Sequence, residues 1–157
     1  MTLVDAVSVA DDIVKCVADF LAADTTCERG GFLVGQLPSI GNGVTRIDEA
    51  IPCPDAPSTA YSLTFRGEEW QLVHGHTAIR DGTAHIVGWF HSHPDISVRM
   101  SARDMFIQRH FFAHRGQIAW IRDPIGGDEA FWSLRDDKPV ALPRTHESQH
   151  GKSGRHD

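Results

Sequence analysis

The order of apolar and polar positions divides the chain into short blocks. Val7 to Val9 read as a short strand. Asp11 and Asp12 then open a helix whose apolar positions, Ile13, Val14, Val17, Phe20 and Leu21, recur with the period of one buried face. The two acids complement the positive end of the helix dipole. "GGFLVGQ", residues 30–36, is an apolar run bounded by glycines and predicts a buried strand. The turn signal "GNG" leads from it into "VTRIDEAIP", so the two strands form a hairpin. Residues 53–60, rich in proline and small side chains, make a loop, and "YSLTF" after them alternates like a strand. Residues 67–80 predict a helix with Trp70, Val73, His74 and Ile79 near one face, against which Gly75 acts. "AHIVGWF", residues 84–90, is a continuous apolar run, as expected of a central strand covered on both faces. A helix from about Ala102 to His114 follows, then the strands "QIAWIRDP" and "EAFWSLRDD" around the turn "IGGD". The sum is an α/β fold, a mixed central sheet flanked by helices.

From Pro139 the chain turns polar and rich in glycine and histidine. Residues 1–138 are therefore expected to form one domain, and residues 139–157 a disordered tail whose removal leaves folding intact. His146, His150 and His156 fall in that tail and carry no weight.

Composition narrows the classes. With 157 residues, 41% hydrophobic and 23% charged, the chain suits one soluble domain. A net charge of -6 without a basic stripe argues against nucleic acid as a partner. Cys16, Cys27 and Cys53 are scattered and odd in number, which favours a reducing compartment over a disulfide scaffold. No signal peptide or membrane-length apolar run is visible, so a cytoplasmic location without membrane contact is expected.

The chemistry concentrates in "GWFHSHPDISVRMSARDM", residues 88–105. His91 and His93 leave one face of the central strand, roughly 7 Å apart along it, while Ser92 points the other way. Pro94 ends the strand. Asp104 lies about a turn into the next helix, where its carboxylate can return to the histidines. Two imidazoles and a carboxylate make a sound catalytic zinc site, in which zinc lowers the pKa of water toward about 7. The same residues also fit a plain junction: "SARD" looks like a capping box with Ser101 as the cap. Other pairs do worse. His74 and His76 face different directions on their helix, and His110 and His114, four apart, have no acid between them to act as base.

The run His91-x-His93-Pro94, six residues, Ser101, two residues, Asp104 resembles the JAMM motif of MPN-domain metallopeptidases. "CERGGFLVG" is similar to the upstream element of that family and places Glu28 at the position of its catalytic glutamate. The resemblance implies the MPN fold, a cytidine-deaminase-like three-layer α-β-α arrangement. It implies that His91, His93 and Asp104 ligate one zinc ion, that Glu28 is the general base and proton shuttle, and that Ser101 steadies the oxyanion or helps position the water. It further implies hydrolysis of a peptide or isopeptide bond after the C-terminal tail of a ubiquitin-like protein, with E1-like and E2-like proteins as companions. The tail would add as a strand along 59–65. The loop at 53–60 and the turn at 125–128 are short beside those of eukaryotic deubiquitinases, so a compact bacterial-type member is expected. Two other readings stay open: a non-catalytic scaffold module, and a metal-dependent hydrolase of a small amide.

Overall fold

The computed structural model describes residues 3–145. In chain order the elements are β1 (Ala6–Val9), α1 (Asp11–Ala22), β2 (Gly30–Gln36), β3 (Val44–Pro52), β4 (Ser58–Thr59), β5 (Ser62–Leu63), α2 (Gly67–His74), α3 (Thr77–Arg80), β6 (His85–Ser92), α4 (Ala102–Phe111), β7 (Ile118–Arg122), β8 (Glu129–Arg135), β9 (Lys138–Leu142) and β10 (Arg144–Thr145). Eight of the strands form one sheet in the order β10-β1-β3-β2-β6-β7-β8-β9, and β4 and β5 pair with each other in a separate hairpin. The large sheet is mixed: β1 runs parallel to β3 and β10, β6 runs parallel to β7, and the other neighbours are antiparallel.

Strand alternation sorts the apolar side chains into two layers. Leu33, Ile47, Phe90, Trp120 and Phe131 face α1 and pack with its Val17 and Leu21. Phe32, Val34, Trp89 and Ala119 face the other way and meet Val73, Ile79, Ile107 and Phe112 from the later helical segments. The expected α/β class with a mixed central sheet is what forms, in three layers.

One irregularity in β6 governs the rest. Its pairing with β2 steps from Leu33↔Gly88 to Val34↔Ile86, so Val87 is an extra residue and the strand carries a bulge. The bulge resets the alternation. Ile86 and Trp89, three residues apart, both reach the layer of α4, while Val87 and Phe90 both reach the layer of α1. Gly88 sits at this step with β7 close behind it: a Cβ there would lie 2.0 Å from the Ile118 carbonyl oxygen.

Three expectations are corrected. The helix over 67–80 divides into α2 and α3, because His76 takes an extended backbone as N-cap and its ring Nδ1 accepts from the Ala78 N–H. α4 ends at Phe111, so His114 lies beyond it and is not on a helix face with His110. The domain does not stop at 138. β9 pairs with β8 and buries Leu142 in the α1-side core, and β10 pairs with β1. The Arg144 guanidinium donates to the Val9 carbonyl at 2.7 Å and pairs with Asp11 at 2.7 Å. Residues 139–145 alternate sparsely, which hid two edge strands in a polar composition. The remainder of the expected tail, 146–157, lies outside the described residues.

The chain cut after Asp137 is therefore expected to melt well below the full chain. Leu142→Ala alone should cost about 2–3 kcal/mol by leaving a cavity in the core. Urea unfolding of the two variants checks this, and unchanged midpoints would restore the boundary at 138.

Candidate metal centre

His91 and His93 stand at the carboxyl end of β6, beside the matching end of its parallel neighbour β7. Crevices at the carboxyl ends of strands are where sheets of this kind bind ligands. The bulge has already turned the odd-numbered positions toward α4. α4 in turn begins at Ser101, whose hydroxyl accepts from the Asp104 N–H while the Asp104 carboxylate accepts from the Ser101 N–H, both at 3.0 Å. This capping box is formed, and it aims Asp104 at β6.

The three side chains converge. His91 Nε2 lies 3.0 Å from Asp104 Oδ1, His93 Nε2 lies 3.0 Å from Asp104 Oδ2, and the two Nε2 atoms are 3.1 Å apart. All three residues are buried, and their ligand atoms lie within 4.8 Å of one another. His93 Nδ1 is 2.7 Å from the Ser97 carbonyl. A carbonyl only accepts, so Nδ1 carries the proton and neutral His93 turns the lone pair of Nε2 toward Asp104 and His91. Lone pairs facing a carboxylate at this distance repel unless a proton or a cation lies among them. The donor set of two imidazole nitrogens and one carboxylate oxygen fits a metal ion, and His93 shows the carbonyl-held orientation usual for a metal-bound histidine.

The charges of these groups depend on one another. Burial opposes ionisation of Asp104, but the electrostatic pull of His91, the contacts to both imidazoles and the hydrogen bond from the Ser101 N–H outweigh it and hold the carboxyl well below its usual range. Burial likewise favours neutral His93, yet Asp104 and the Ser97 carbonyl lift it above its ordinary value. Glu28 is 5% exposed, and burial pushes its carboxyl up, with His91 and His93 pulling part of the way back. Glu28 thus faces the same charges as the triad without joining its hydrogen bonds.

Local backbone contacts put Glu28 there. The Glu28 N–H donates to the Thr59 carbonyl at 2.8 Å. The next residue is stitched to β6: the Arg29 N–H donates to Ser92 Oγ and the Ser92 N–H donates to the Arg29 carbonyl, both at 2.9 Å. The Arg29 side chain lies over the Phe20 ring of α1, so alternation sends Glu28 to the opposite side, toward the histidines. Gly30 pairs with His91 across the strands, and a Cβ on it would lie 2.2 Å from the Phe90 carbonyl oxygen.

All five residues singled out from the sequence, Glu28, His91, His93, Ser101 and Asp104, therefore stand at one end of the sheet. Sequence reasoning missed their supports. Ser97 acts through its carbonyl, which no side-chain pattern reveals. Asp123 accepts from the Asp95 and Ile125 N–H groups and holds the loop after Pro94. Arg103 bonds to the Leu63 carbonyl and Thr64 Oγ1, joining α4 to β5. The turn residues around Asp123 were the one available signal. Of the weaker histidines, His76 lies 2.9 Å from Glu49 and His74 stacks on Trp70, both apart from the centre.

A model of the JAB1/Mov34/MPN/PAD-1 ubiquitin protease family matches residues 3–115. Among solved structures, the solution structure of a protein from Desulfitobacterium hafniense superposes with a TM-score of 0.71 at 15% identity, covering 88% of this chain and 91% of that one. At that identity the likeness is one of fold. No curated protein matches this chain. Among the described residues no helix is long and apolar enough to cross a membrane.

Asp104→Asn keeps an acceptor for the Ser101 N–H but removes the anionic ligand. It is expected to leave the protein folded and strip it of tightly held metal. Elemental analysis after dialysis checks this, and metal retained at the level of the unmutated chain would remove Asp104 from the ligand set.

Proposed function

The chain belongs to the JAB1/Mov34/MPN/PAD-1 family, and on that premise we propose that it is a zinc metallopeptidase. Its substrate would be the peptide or isopeptide bond that follows the C-terminal tail of a ubiquitin-like protein. The observation that carries this reading is the convergence of His91, His93 and Asp104 on one point with the buried Glu28 facing the same charges. Two histidines and one carboxylate are a catalytic zinc set that leaves a position open. Zinc, when bound, supplies Lewis acidity toward the scissile carbonyl and makes water a stronger acid near neutral pH.

The remaining steps belong to the chain's own side chains. The Glu28 carboxylate accepts a proton from the attacking water as the new C–O bond forms. It then gives that proton to the leaving nitrogen as the C–N bond breaks. Its raised pKa suits both halves of this exchange, since a weaker acid holds the proton until the nitrogen takes it. Ser101 keeps its hydroxyl proton to donate while its oxygen accepts from the Asp104 N–H, and that proton stabilises the oxyanion.

The β4–β5 hairpin supports an extended substrate. Its strands pair only with each other among the described residues, and its Thr59 carbonyl holds the Glu28 N–H. A tail added to this edge by strand pairing passes next to Glu28. A bacterial-type setting with E1-like and E2-like partners follows from the same reading. A cytoplasmic location fits the free Cys16, Cys27 and Cys53.

The test is cleavage of a ubiquitin-like fusion protein by the purified chain, with and without chelator. Glu28→Gln is expected to lower kcat by about 10²–10⁴-fold with its metal retained. Equal cleavage by this variant would sink the assignment of the base, and cleavage of small amides but no protein tail would move the substrate class. Ser101→Ala is expected to lower kcat by about 10²–10³-fold, beyond the modest stability loss of a removed cap. A stability loss with kcat unchanged would leave Ser101 as a cap alone.

A further inference from the structure

Ten residues of α4 contribute two fully buried side chains, and neither is apolar: they are Asp104 and Gln108. They lie four residues apart and so share one face of the helix. Asp104 belongs to the metal centre. Gln108, 2% exposed, needs its own explanation, because a leucine or methionine would fill a core position without an amide to satisfy.

Its amide is fully engaged across three elements. Gln108 Oε1 accepts from Trp89 Nε1 of β6 at 2.7 Å. Gln108 Nε2 donates to the Phe112 carbonyl at the end of α4, at 3.2 Å, and to the Gln117 carbonyl just before β7, at 3.1 Å. The bond to Trp89 fixes the plane of the indole. That plane lies parallel to the His91 ring, with centroids 4.3 Å apart and an angle of 7°, and Phe112 backs its other side at 5.7 Å and 10°.

His91 has a reason to need such a wall. His93 is oriented through Nδ1 by the Ser97 carbonyl, as metal-bound histidines usually are. His91 Nδ1 is buried and has no hydrogen-bond partner among the described residues. In place of a hydrogen bond, the ring lies against the face of Trp89.

We propose that Gln108 is a positioning residue for the metal centre. Through Trp89 it sets the plane of the His91 imidazole, and through α4 it ties that plane to Asp104. The inference rests on the metal-site reading above but not on the identity of the substrate. Among the described residues Gln108 makes no hydrogen bond to a ligand atom, and it reaches His91 through the indole.

Two variants and their combination test this by Co²⁺ and Zn²⁺ titration of the full chain, read by competition with a chromophoric chelator and by the visible spectrum of bound Co²⁺. Gln108→Met leaves the indole N–H unpaired and its ring unanchored. It is expected to weaken metal binding by about 10–100-fold and to alter the Co²⁺ spectrum. Trp89→Phe combined with Gln108→Met removes both partners of the indole bond, leaving only the Phe112 and Gln117 carbonyls without the Gln108 donor, so thermal stability should recover in part relative to Gln108→Met alone. The proposal expects metal affinity to stay low in that stable double variant, since no bond fixes the ring against His91. If affinity and spectrum return to those of the unmutated chain along with stability, Gln108 serves packing only and the proposal is overturned. Failure of the unmutated chain itself to bind Co²⁺ or Zn²⁺ would overturn the metal-site reading and this inference together. Loss of peptidase activity with metal binding and the Gln108 effect intact would count only against the substrate assignment.

Discussion

The centre depends on a single extra residue in a hydrogen-bonded ladder. Side chains on a strand alternate without exception unless the ladder slips, and in β6 it slips at Val87 and Gly88. Counted from Ile86 by strict alternation, His91 would face α1, whose inner surface offers Val17 and Leu21 and no ligand. The bulge exchanges the layers. It sends the histidines to the side where α4 supplies Asp104, and it sends Ser92 to the side where Arg29 crosses toward α1. Both placements follow from one register shift, so the ligands and the stitch that positions Glu28 are fixed together.

Electrostatics sets the second constraint. Burying Asp104 and Glu28 among two imidazoles is unfavourable for each group taken alone, and their opposite responses show how the site divides the labour. Asp104 is held ionised by the Ser101 N–H and the pull of the two imidazoles, as would suit a permanent ligand. Among the described residues no such bond reaches the Glu28 carboxylate, and burial dominates it, as would suit a group that gains and loses a proton. Two carboxylates in one pocket thus differ because one sits at a helix start and the other at the end of a loop.

Much of this was legible in the sequence because the informative residues are local in the chain. The pattern His91-x-His93 and the box Ser101 to Asp104 each lie within one element or its first turn, and Glu28 sits beside a glycine-bounded strand. The layers were legible too, since "GGFLVGQ" and "AHIVGWF" have no polar face. What escaped has a common cause. The bulge beside Gly88 lies in the pairing with β2, and the glycine is required by the close approach of β7, both neighbours distant in sequence. Gln108 reads as an ordinary polar position on an amphipathic helix until Trp89 and Gln117 are known to surround it. β9 and β10 owe their order to partners at β8 and β1 rather than to their own composition. The break between α2 and α3 turned on the side chain of His76 acting as a cap, a duty seldom assigned to histidine.

Asp104 has two employments, and they meet at one oxygen: Oδ2 accepts from the Ser101 N–H and faces His93, while Oδ1 faces His91. It closes the first turn of α4 and it faces both imidazoles. Charge drawn from the carboxylate by an ion weakens it as an acceptor for Ser101, and any fraying of that turn withdraws a ligand. Helix start and ion are therefore linked reciprocally: each changes the other's equilibrium by the same factor. In this protein a perturbation that unwinds one turn of helix would act as a competitor of a bound ion without touching it.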